Sequence, residues 1–214
     1  TWQIRMHSTG ERAEFDLSIL ERETRHPYRL QCEQSKLCRF LYDELRARKN
    51  VQVLLGHTVK SVSEHDDGVN MTVESAGGES VVAARYVIGA DGARSIVRKT
   101  MGLQFEGVTY PETTILATTH FQFEEHLDNL SGINYVWKPG GTFTLLRLPD
   151  LWRCSLYPDE GETIEEATSL SSIERKLQQI VPIDEPHSVL EVRPYRLHMR
   201  IVNDYRKGRL VLVG

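Results

Sequence analysis

Residues 85–102 read R-Y-V-I-G-A-D-G-A-R-S-I-V-R-K-T-M-G, and this stretch decides the fold. The apolar run 86–88 is short enough for a buried strand. After a glycine turn, the pattern predicts a helix over residues 95–101, closed by Gly102 as a left-handed cap residue. Glycines let a backbone approach a ligand, and the free N–H groups of a first helical turn suit a phosphate. We therefore expect a phosphate-binding loop here; the alternative is an ordinary turn in which Asp91 caps the helix.

The amino-acid composition of the chain argues against several classes of function. The 214 residues are 40% hydrophobic with a formal net charge of −4, which gives no reason to expect binding to nucleic acid or an acidic membrane. No apolar run approaches the ~20 residues that would span a bilayer. The odd number of cysteines, the absence of C-x-x-C and the scattered histidines predict no disulfide framework and no metal site. We expect a cytoplasmic protein with one large or two small domains.

In the first half of the chain, apolar and polar residues alternate in a way typical of strands, and one helical stretch interrupts them. Residues 1–20 predict a β-hairpin. Residues 31–49 predict an amphipathic helix whose apolar stripe comprises Leu37, Phe40, Leu41 and Leu45. Residues 51–55 predict a strand, which resumes at 56–62 and is followed by strands at 69–73 and 80–84. Together these last strands predict a three-stranded antiparallel meander that leads into residues 86–88.

The second half is rich in β-like runs, which fall at residues 113–123, 132–137, 142–148, 152–157 and 189–195. One amphipathic helix is predicted over residues 163–181, with Ile173, Leu177, Ile180 and Val181 on one face. At residues 205–214 a charged turn leads into a fully apolar strand that stops at glycine. This half therefore predicts an antiparallel sheet with one helix.

Two motifs resemble a known family. The pattern Gly89-x-Asp91-Gly92-x-x-Ser95-x-Val97-Arg98 resembles the Asp-Gly fingerprint of FAD-dependent aromatic hydroxylases, the single-component flavoprotein monooxygenases related to para-hydroxybenzoate hydroxylase. Gly208-Arg209 and the strand after it resemble the start of that family's second FAD motif. The resemblance implies an α/β (α+β) fold, part of an FAD/NAD(P)-binding three-layer fold interleaved with an antiparallel-sheet substrate domain. It places parts of the FAD-binding domain at 25–105 and 205–214, and the substrate domain at 1–24 and 106–204.

The resemblance also implies cofactor contacts. FAD would be the cofactor and NAD(P)H the co-substrate, and FAD would activate oxygen for transfer to an activated ring. Gln34, followed by Leu41 as in the family's Gln-x6-Leu helix, would contact the ribityl–phosphate portion of FAD, and the backbone of Thr58 and Val59 would lie beside the adenine. The remaining cofactor-binding candidates, in and around the two motifs, are Asp91, Gly92, Arg98 and Gly214. No catalytic residue is assigned.

Substrate candidates come from the predicted sheet. Tyr135 could donate from its phenol, and Arg147 and Arg193 could hold a phenolate or carboxylate. The alternative for each is that it is an exposed strand residue with no role in substrate binding. The partner we expect is a small aromatic molecule, and a homodimer is left open.

Three family features are missing from these residues. There is no Gly-x-Gly-x-x-Gly, the acidic residue that would follow the next strand is absent with it, and the Asp-Ala-Ala-His of the second FAD motif does not appear. We therefore expect an internal fragment of a longer enzyme that binds FAD poorly alone. Two alternatives stay open: a reductase, dehydrogenase or halogenase of the same fold, and a non-catalytic domain that has lost FAD.

Overall fold

The computed structural model describes every residue from Thr1 to Gly214. In chain order the strands are β1 (Trp2–Met6), β2 (Arg12–Phe15), β3 (Thr58–His65), β4 (Gly68–Ser75), β5 (Gly78–Ala84), β6 (Val87–Gly89), β7 (Glu106–Thr119), β8 (Ile133–Lys138), β9 (Gly141–Leu148), β10 (Leu151–Leu156), β11 (Val189–Ile201), β12 (Arg206–Lys207) and β13 (Leu210–Leu212). The α-helices are α1 (Gln34–Arg46), α2 (Ile96–Thr100), α3 (Ile164–Ala167) and α4 (Leu170–Gln178). Short 3-10 helices cover Leu17–Leu20 and Phe123–Glu125. None of the helices is long and apolar enough to cross a lipid bilayer.

The chain divides into two compact units, each made from two separate stretches. The first unit comprises Thr1–Leu37 and Tyr110–Leu197, and the second comprises Cys38–Thr109 and His198–Gly214. The chain therefore weaves between the units instead of folding as an amino-terminal and a carboxyl-terminal half. Which part of the chain holds the cofactor and which holds the substrate stays a prediction.

The first unit is built on a seven-stranded sheet in the order β11-β7-β10-β9-β8-β1-β2. The pairings of β7 with β10, β10 with β9, β9 with β8 and β1 with β2 are antiparallel, as predicted. The pairing of β1 with β8 is parallel, which departs from the predicted antiparallel sheet, and it sets Gln3 opposite Asn134. These two side chains are fully buried and hydrogen-bonded to each other, so a slip in register would leave buried amides without partners.

One face of this sheet packs on the helices of the first unit. In β10, Trp152, Cys154 and Leu156 are buried, whereas the residues between them are half-exposed. Ile173 and Leu177 of α4 are fully buried in the same core. Burying an aliphatic or aromatic side chain of this size contributes about 1.5–3 kcal/mol, so this face accounts for much of the unit's stability.

Several predicted elements have other bounds in the structure, and three of them differ in kind or in number. The hairpin's second strand ends at Phe15, because the Asp16 side chain accepts a hydrogen bond from the N–H of Ser18 at 3.0 Å and begins a 3-10 helix. Residues 51–55 form no strand, since no other strand pairs with them. The helix predicted over 163–181 is two helices, because Ser169 caps α4 separately, and Ile180 and Val181 follow its end.

The second unit contains two three-stranded sheets. The predicted antiparallel meander is confirmed as β3-β4-β5, and the other sheet has the order β12-β13-β6. β13 runs parallel to β6, with Leu212 opposite Gly89. Because the carboxyl ends of parallel strands meet at the same edge, the residues that follow these two strands are brought together. The buried cluster that supports both sheets and α2 comprises Val62, Val69, Val87, Val97, Met101 and Leu210.

Helix α1 begins and ends three residues inside the predicted range, and it contains no buried residue. Its apolar stripe is exposed: Phe40 is 59% and Leu37 54% accessible to solvent. An amphipathic helix normally turns such a face toward a core. Within residues 1–214 this face is uncovered.

Candidate functional site

The turn between β6 and α2 requires its two glycines for different reasons. A Cβ atom at Gly89 would lie 2.7 Å from the Cβ of Val97 and 3.0 Å from the Cδ2 of Leu212, so only glycine lets α2 and β13 pack this closely on β6. Gly92 has a φ of +71° and open space around its Cα. It therefore serves the left-handed turn and leaves its backbone accessible.

Asp91 caps α2. Its Oδ2 accepts hydrogen bonds from the N–H of Ile96 at 2.7 Å and of Val97 at 3.5 Å. Partial burial raises the pKa of Asp91, but hydrogen bonds from Ser95 and Ile96 outweigh it and hold this pKa below its ordinary value. The carboxylate therefore stays ionised at the positive end of the helix.

The amides of the first turn of α2 are already used, contrary to the prediction that they are free for a phosphate. The carboxylate of Asp91 accepts hydrogen bonds from the N–H groups of Ile96 and Val97, and the Oγ of Ser95 accepts one from the N–H of Arg98 at 2.9 Å. The alternative of an Asp91 cap describes this helix end. The N–H groups of Ala93 and Arg94 donate no hydrogen bond within the chain, so the loop amides, and not the helical ones, are available to an anion.

Arg98 stabilises the same loop from the side of the helix. Its guanidinium donates to the carbonyl of Ala93 at 2.7 Å and lies 4.8 Å from the centre of the Phe105 ring. The Nε of Arg98 is buried without a hydrogen-bond partner. A buried donor without a partner is costly, so this N–H is suited to a ligand oxygen at the loop.

These groups line one cavity of about 370 Å³ in the second unit, which we call the loop cavity. Its walls are Gly89, Ala90, Asp91, Gly92, Ala93, Ser95, Arg98, Phe105, Arg200, Ile201, Val202, Tyr205, Leu212, Val213 and Gly214. The structure thus brings together four of the predicted cofactor residues: Asp91, Gly92, Arg98 and Gly214. Two arginines face a single carboxylate, and that carboxylate is already hydrogen-bonded, so the cavity suits an anionic ligand segment.

The other predicted cofactor residues lie elsewhere. Gln34 is the first residue of α1, is exposed and lies in the first unit. Thr58 and Val59 begin β3 in the second unit, are also exposed, and do not line the cavity. Their predicted contacts with FAD stay predictions.

A second cavity, of about 380 Å³, lies in the first unit on the sheet face opposite α3 and α4. It is lined by Arg29, Thr114, Leu116, Ile133, Tyr135, Thr144, Leu145, Leu146, Arg153, Ser155, Tyr157 and Tyr195. The register places Tyr135, Thr144, Ser155 and Leu116 side by side across four strands. We call it the sheet cavity.

Of the three predicted substrate residues, only Tyr135 lines the sheet cavity. Arg147 lies opposite Trp152 in the register, on the face that packs against the helices, and its guanidinium is 3.0 Å from a carboxylate oxygen of Glu124. Arg193 is outside the lining, with a highly exposed side chain that pairs with Glu191. The structure therefore does not bring Arg147 and Arg193 to Tyr135.

Sequence reasoning missed Arg29, Arg153, Tyr157 and Tyr195 in the sheet cavity, and Phe105, Arg200 and Tyr205 in the loop cavity. A signal existed for two of them, because residues 152–157, in β10 and directly after it, alternate as Trp-Arg-Cys-Ser-Leu-Tyr and so place Arg153 and Tyr157 on the face opposite the core. Arg29 lies in a connection without periodicity, so no local pattern could have located it.

The comparisons with known proteins agree on one family. The family model described as FAD binding domain matches residues 3–214. Para-nitrophenol 4-monooxygenase of Pseudomonas sp. (strain WBC-3) is 30% identical over 97% of this chain and 52% of its own length. A 6-hydroxy-3-succinoylpyridine 3-monooxygenase of Pseudomonas putida is 31% identical over 98% of this chain and 53% of its own length.

Solved structures are similar over the whole chain. The crystal structure of p-nitrophenol 4-monooxygenase from Pseudomonas putida superposes with a TM-score of 0.88 at 28% identity, over 100% of this chain and 54% of that one. Aklavinone-11 hydroxylase, solved with FAD and aklavinone, gives a TM-score of 0.82 at 22% identity, over 100% of this chain and 43% of that one, which shows a shared fold. The chain spans about half the length of the curated relatives it matches.

Proposed function

Since the chain belongs to the FAD binding domain family, we propose that it forms part of an FAD-dependent monooxygenase that hydroxylates an aromatic ring with NAD(P)H and O2. Its relatives include monooxygenases of para-nitrophenol and of a hydroxypyridine. Because the chain spans about half of their length, the activity is proposed for the full-length protein and not for residues 1–214 alone.

The observation that carries this proposal is the loop cavity, where the Asp91–Gly92 turn meets the carboxyl end of β13. The unused amides of Ala93 and Arg94, the free Nε of Arg98 and the open backbone of Gly92 offer donors without a blocking side chain. Its volume lies near the lower end of the roughly 300–1,000 Å³ typical of small-molecule sites. This volume and charge fit the pyrophosphate portion of FAD, with Gly92, Arg98 and Gly214 around it, while Asp91 holds the loop in shape.

Other parts of FAD need other residues. We propose Gln34 for the ribityl–phosphate portion and the backbone at Thr58 and Val59 for the adenine. Each begins a helix or strand and is exposed, so a ligand can reach it without rearrangement of the core.

When bound, FAD supplies the redox chemistry, with NAD(P)H as the reductant and O2 as the oxidant. The chain's residues bind and orient. We propose the sheet cavity, with Tyr135 in its lining, as the binding site of the aromatic ring. A cytoplasmic location and a homodimer stay predictions.

The test is the visible absorption spectrum of the full-length protein, with two glycine variants. Gly92→Asp adds a negative charge where we place the pyrophosphate. Gly10→Asp is the matched control, because Gly10 also has a positive φ of +72° and open space, but lies outside the cavity and away from the other proposed cofactor residues in sequence. We expect a bound-flavin spectrum in the parent protein and in Gly10→Asp, and at least a tenfold loss of FAD affinity in Gly92→Asp.

Two outcomes would change the assignment. A full-length protein that stays colourless after FAD is added would favour the non-catalytic domain. A bound flavin without oxygen consumption that depends on both NAD(P)H and an aromatic substrate would favour a reductase, dehydrogenase or halogenase.

A further inference from the structure

We propose that the sheet cavity selects aromatic substrates that carry an anionic group, and that Arg29 and Arg153 are the residues that determine this specificity. The inference rests on the proposed function and deepens it, because that function asks only for an aromatic ring. It starts from the charges and donors that line this cavity.

The charge balance of the cavity lining is one-sided. Arg29 and Arg153 belong to the lining, which contains no aspartate or glutamate. Neither arginine takes part in a salt bridge or a side-chain hydrogen bond within the chain, whereas Arg12, Arg147, Arg175 and Arg193 are each paired with a carboxylate. Two unpaired guanidinium groups in one concave site leave a positive potential that only a ligand or solvent can balance.

The carboxylate of Glu33 lies near enough to Arg153 to feel its charge but forms no salt bridge with it. The charge of Arg153 helps to lower the pKa of Glu33, but the larger cause of that lowering is the hydrogen bond from Lys36. The ammonium of Lys36 is 2.9 Å from the Glu33 carboxylate. Glu33 thus already has a cation of its own.

The hydroxyl groups of the lining point to the same chemistry. Six of its residues carry one: Thr114, Tyr135, Thr144, Ser155, Tyr157 and Tyr195. None of these hydroxyls makes a side-chain hydrogen bond within the chain, and none is buried without a partner. They are therefore free to donate to a carboxylate, nitro or phenolate oxygen.

An apolar surface completes the site. Leu116, Ile133 and Leu146 lie on the same sheet face, beside the tyrosine rings. An aromatic ring can pack on this surface while its charged substituent meets the arginines. Guanidinium groups bind carboxylates through two parallel hydrogen bonds, which a lysine cannot reproduce.

Another large cavity of the first unit makes the contrast. It contains Lys138 and Lys176, but Lys176 is paired with Asp159 and Glu162, and Lys138 donates to Gln179 at 2.6 Å. Both lysines already have partners within the chain, so this cavity has no comparable requirement for an anionic ligand. The sheet cavity is the one whose cations lack partners.

The experiment compares 4-hydroxybenzoate with 4-hydroxybenzamide, which have nearly the same shape but differ by one negative charge. Binding of each to the full-length protein is measured by calorimetry, without NAD(P)H. We expect the acid to bind at least tenfold more tightly than the amide, with a preference that shrinks as salt is raised. Arg153→Met and Arg29→Met should each remove most of that preference and leave amide binding within about threefold, and Arg153→Lys should restore it only in part.

Arg12→Met is the matched control, since Arg12 lies on β2, pairs with Glu14 and is outside the cavity. It should keep the full preference for the acid. Equal binding of acid and amide to a flavin-containing protein would overturn this inference and leave the proposed function standing. A protein that discriminates acid from amide through both arginines but never binds FAD would support the assignment of the arginines and overturn the proposed function.

Discussion

Glu64 reaches from the meander to the backbone of Arg209, where its Oε1 accepts the hydrogen bond of the N–H at 2.6 Å. The Arg209 guanidinium makes a second link to the same region: it donates to the carbonyl of Asp66 at 2.9 Å and lies 5.5 Å from the Tyr86 ring centre. Gly208 and Arg209 come immediately before β13, whose far end lines the loop cavity. The Gly-Arg pair of the second motif therefore anchors β13 to the meander and positions the cavity wall from a distance.

Gly208→Ala should destabilise the second unit by about 3 kcal/mol. Gly208 has a φ of +58°, and an added Cβ would overlap the carboxylate of Glu64. The left-handed conformation costs a non-glycine residue about 1–2 kcal/mol, and the loss of a hydrogen bond to a charged group adds about 1.5–3 kcal/mol. Urea unfolding at neutral pH measures the difference.

Gly56→Ala is the control for that substitution, because Gly56 has a similar φ of +68° with nothing within 4 Å of the added Cβ. It should cost only about 1–2 kcal/mol. Equal losses for the two alanines would mean that the Glu64 contact adds nothing to stability.

Asp91→Ala should lower stability by about 1–2 kcal/mol and weaken FAD binding further than this loss explains. The substitution removes the cap from α2 and releases the amides of Ile96 and Val97. The loop that presents Ala93 and Arg94 is then held only by Arg98 and Ser95. Thermal unfolding reports the first effect, and flavin titration of the full-length protein below the melting transition reports the second.

Asp16→Ala provides the comparison, since Asp16 caps the 3-10 helix far from the loop in sequence and makes the same kind of bond to Ser18. It should affect stability alone. Unchanged flavin affinity in Asp91→Ala would show that the cap does not shape the cofactor loop.

Local patterns predicted much of the fold, and the reason is visible in particular residues. Gly102 was predicted as the cap of α2 and has a φ of +72°, with its N–H bonded to the carbonyl of Lys99 at 3.0 Å. The meander followed from alternation between turn signals. By contrast, residues 51–55 have strand composition but no neighbouring strand, because pairing depends on partners that are distant in sequence.

The candidate sites were less predictable because they depend on register and on side-chain geometry. Strand alternation relates Tyr135 to Trp137, but only the pairing of β9 with β10 reveals that Arg147 lies with Trp152 on the core face. The capping of α2 by Asp91 likewise depends on where one carboxylate points, which the Asp-Gly motif does not specify. Long-range register and short-range geometry thus explain what the sequence patterns left open.

Acid should destabilise the first unit through Glu162. Burial raises the pKa of Glu162, but hydrogen bonds from Lys176 and Ser172 outweigh it and lower the pKa from 4.5 to about 2. A carboxyl whose pKa is lower in the folded state stabilises the fold above its unfolded pKa. That stability is lost as the pH falls from 4.5 towards 2, and after solvent screening we expect about 1–2 kcal/mol.

Glu162→Gln should therefore be less stable than the parent at pH 7 and should show a flatter profile between pH 5 and 2 in thermal unfolding. Glu165→Gln, an exposed substitution outside the network, serves as the control. A parent-like slope in Glu162→Gln would assign the acid sensitivity to other groups.

Only two of the three cysteines should react with a thiol reagent in the folded 214-residue chain. Burial raises the pKa of the Cys154 thiol, which is fully enclosed in the core, while Cys32 and Cys38 are exposed. Thiolates react and buried thiols do not. Reaction with Ellman's reagent should release two equivalents at once and a third only in denaturant, and the double variant Cys32→Ser, Cys38→Ser should release none before unfolding.

Residues 1–214 alone should bind FAD more weakly than micromolar, whereas we expect the full-length protein to bind it tightly. The loop cavity has room for one segment of the cofactor, and the apolar stripe of α1, which begins at Gln34, lies open to solvent. Binding then has to order side chains that no neighbouring element holds in place, which lowers affinity. Fluorescence quenching of FAD titrated with the 214-residue chain measures this, with adenosine diphosphate as the probe for the pyrophosphate portion. A dissociation constant at or below the micromolar range for FAD would show that these residues are sufficient for the whole cofactor.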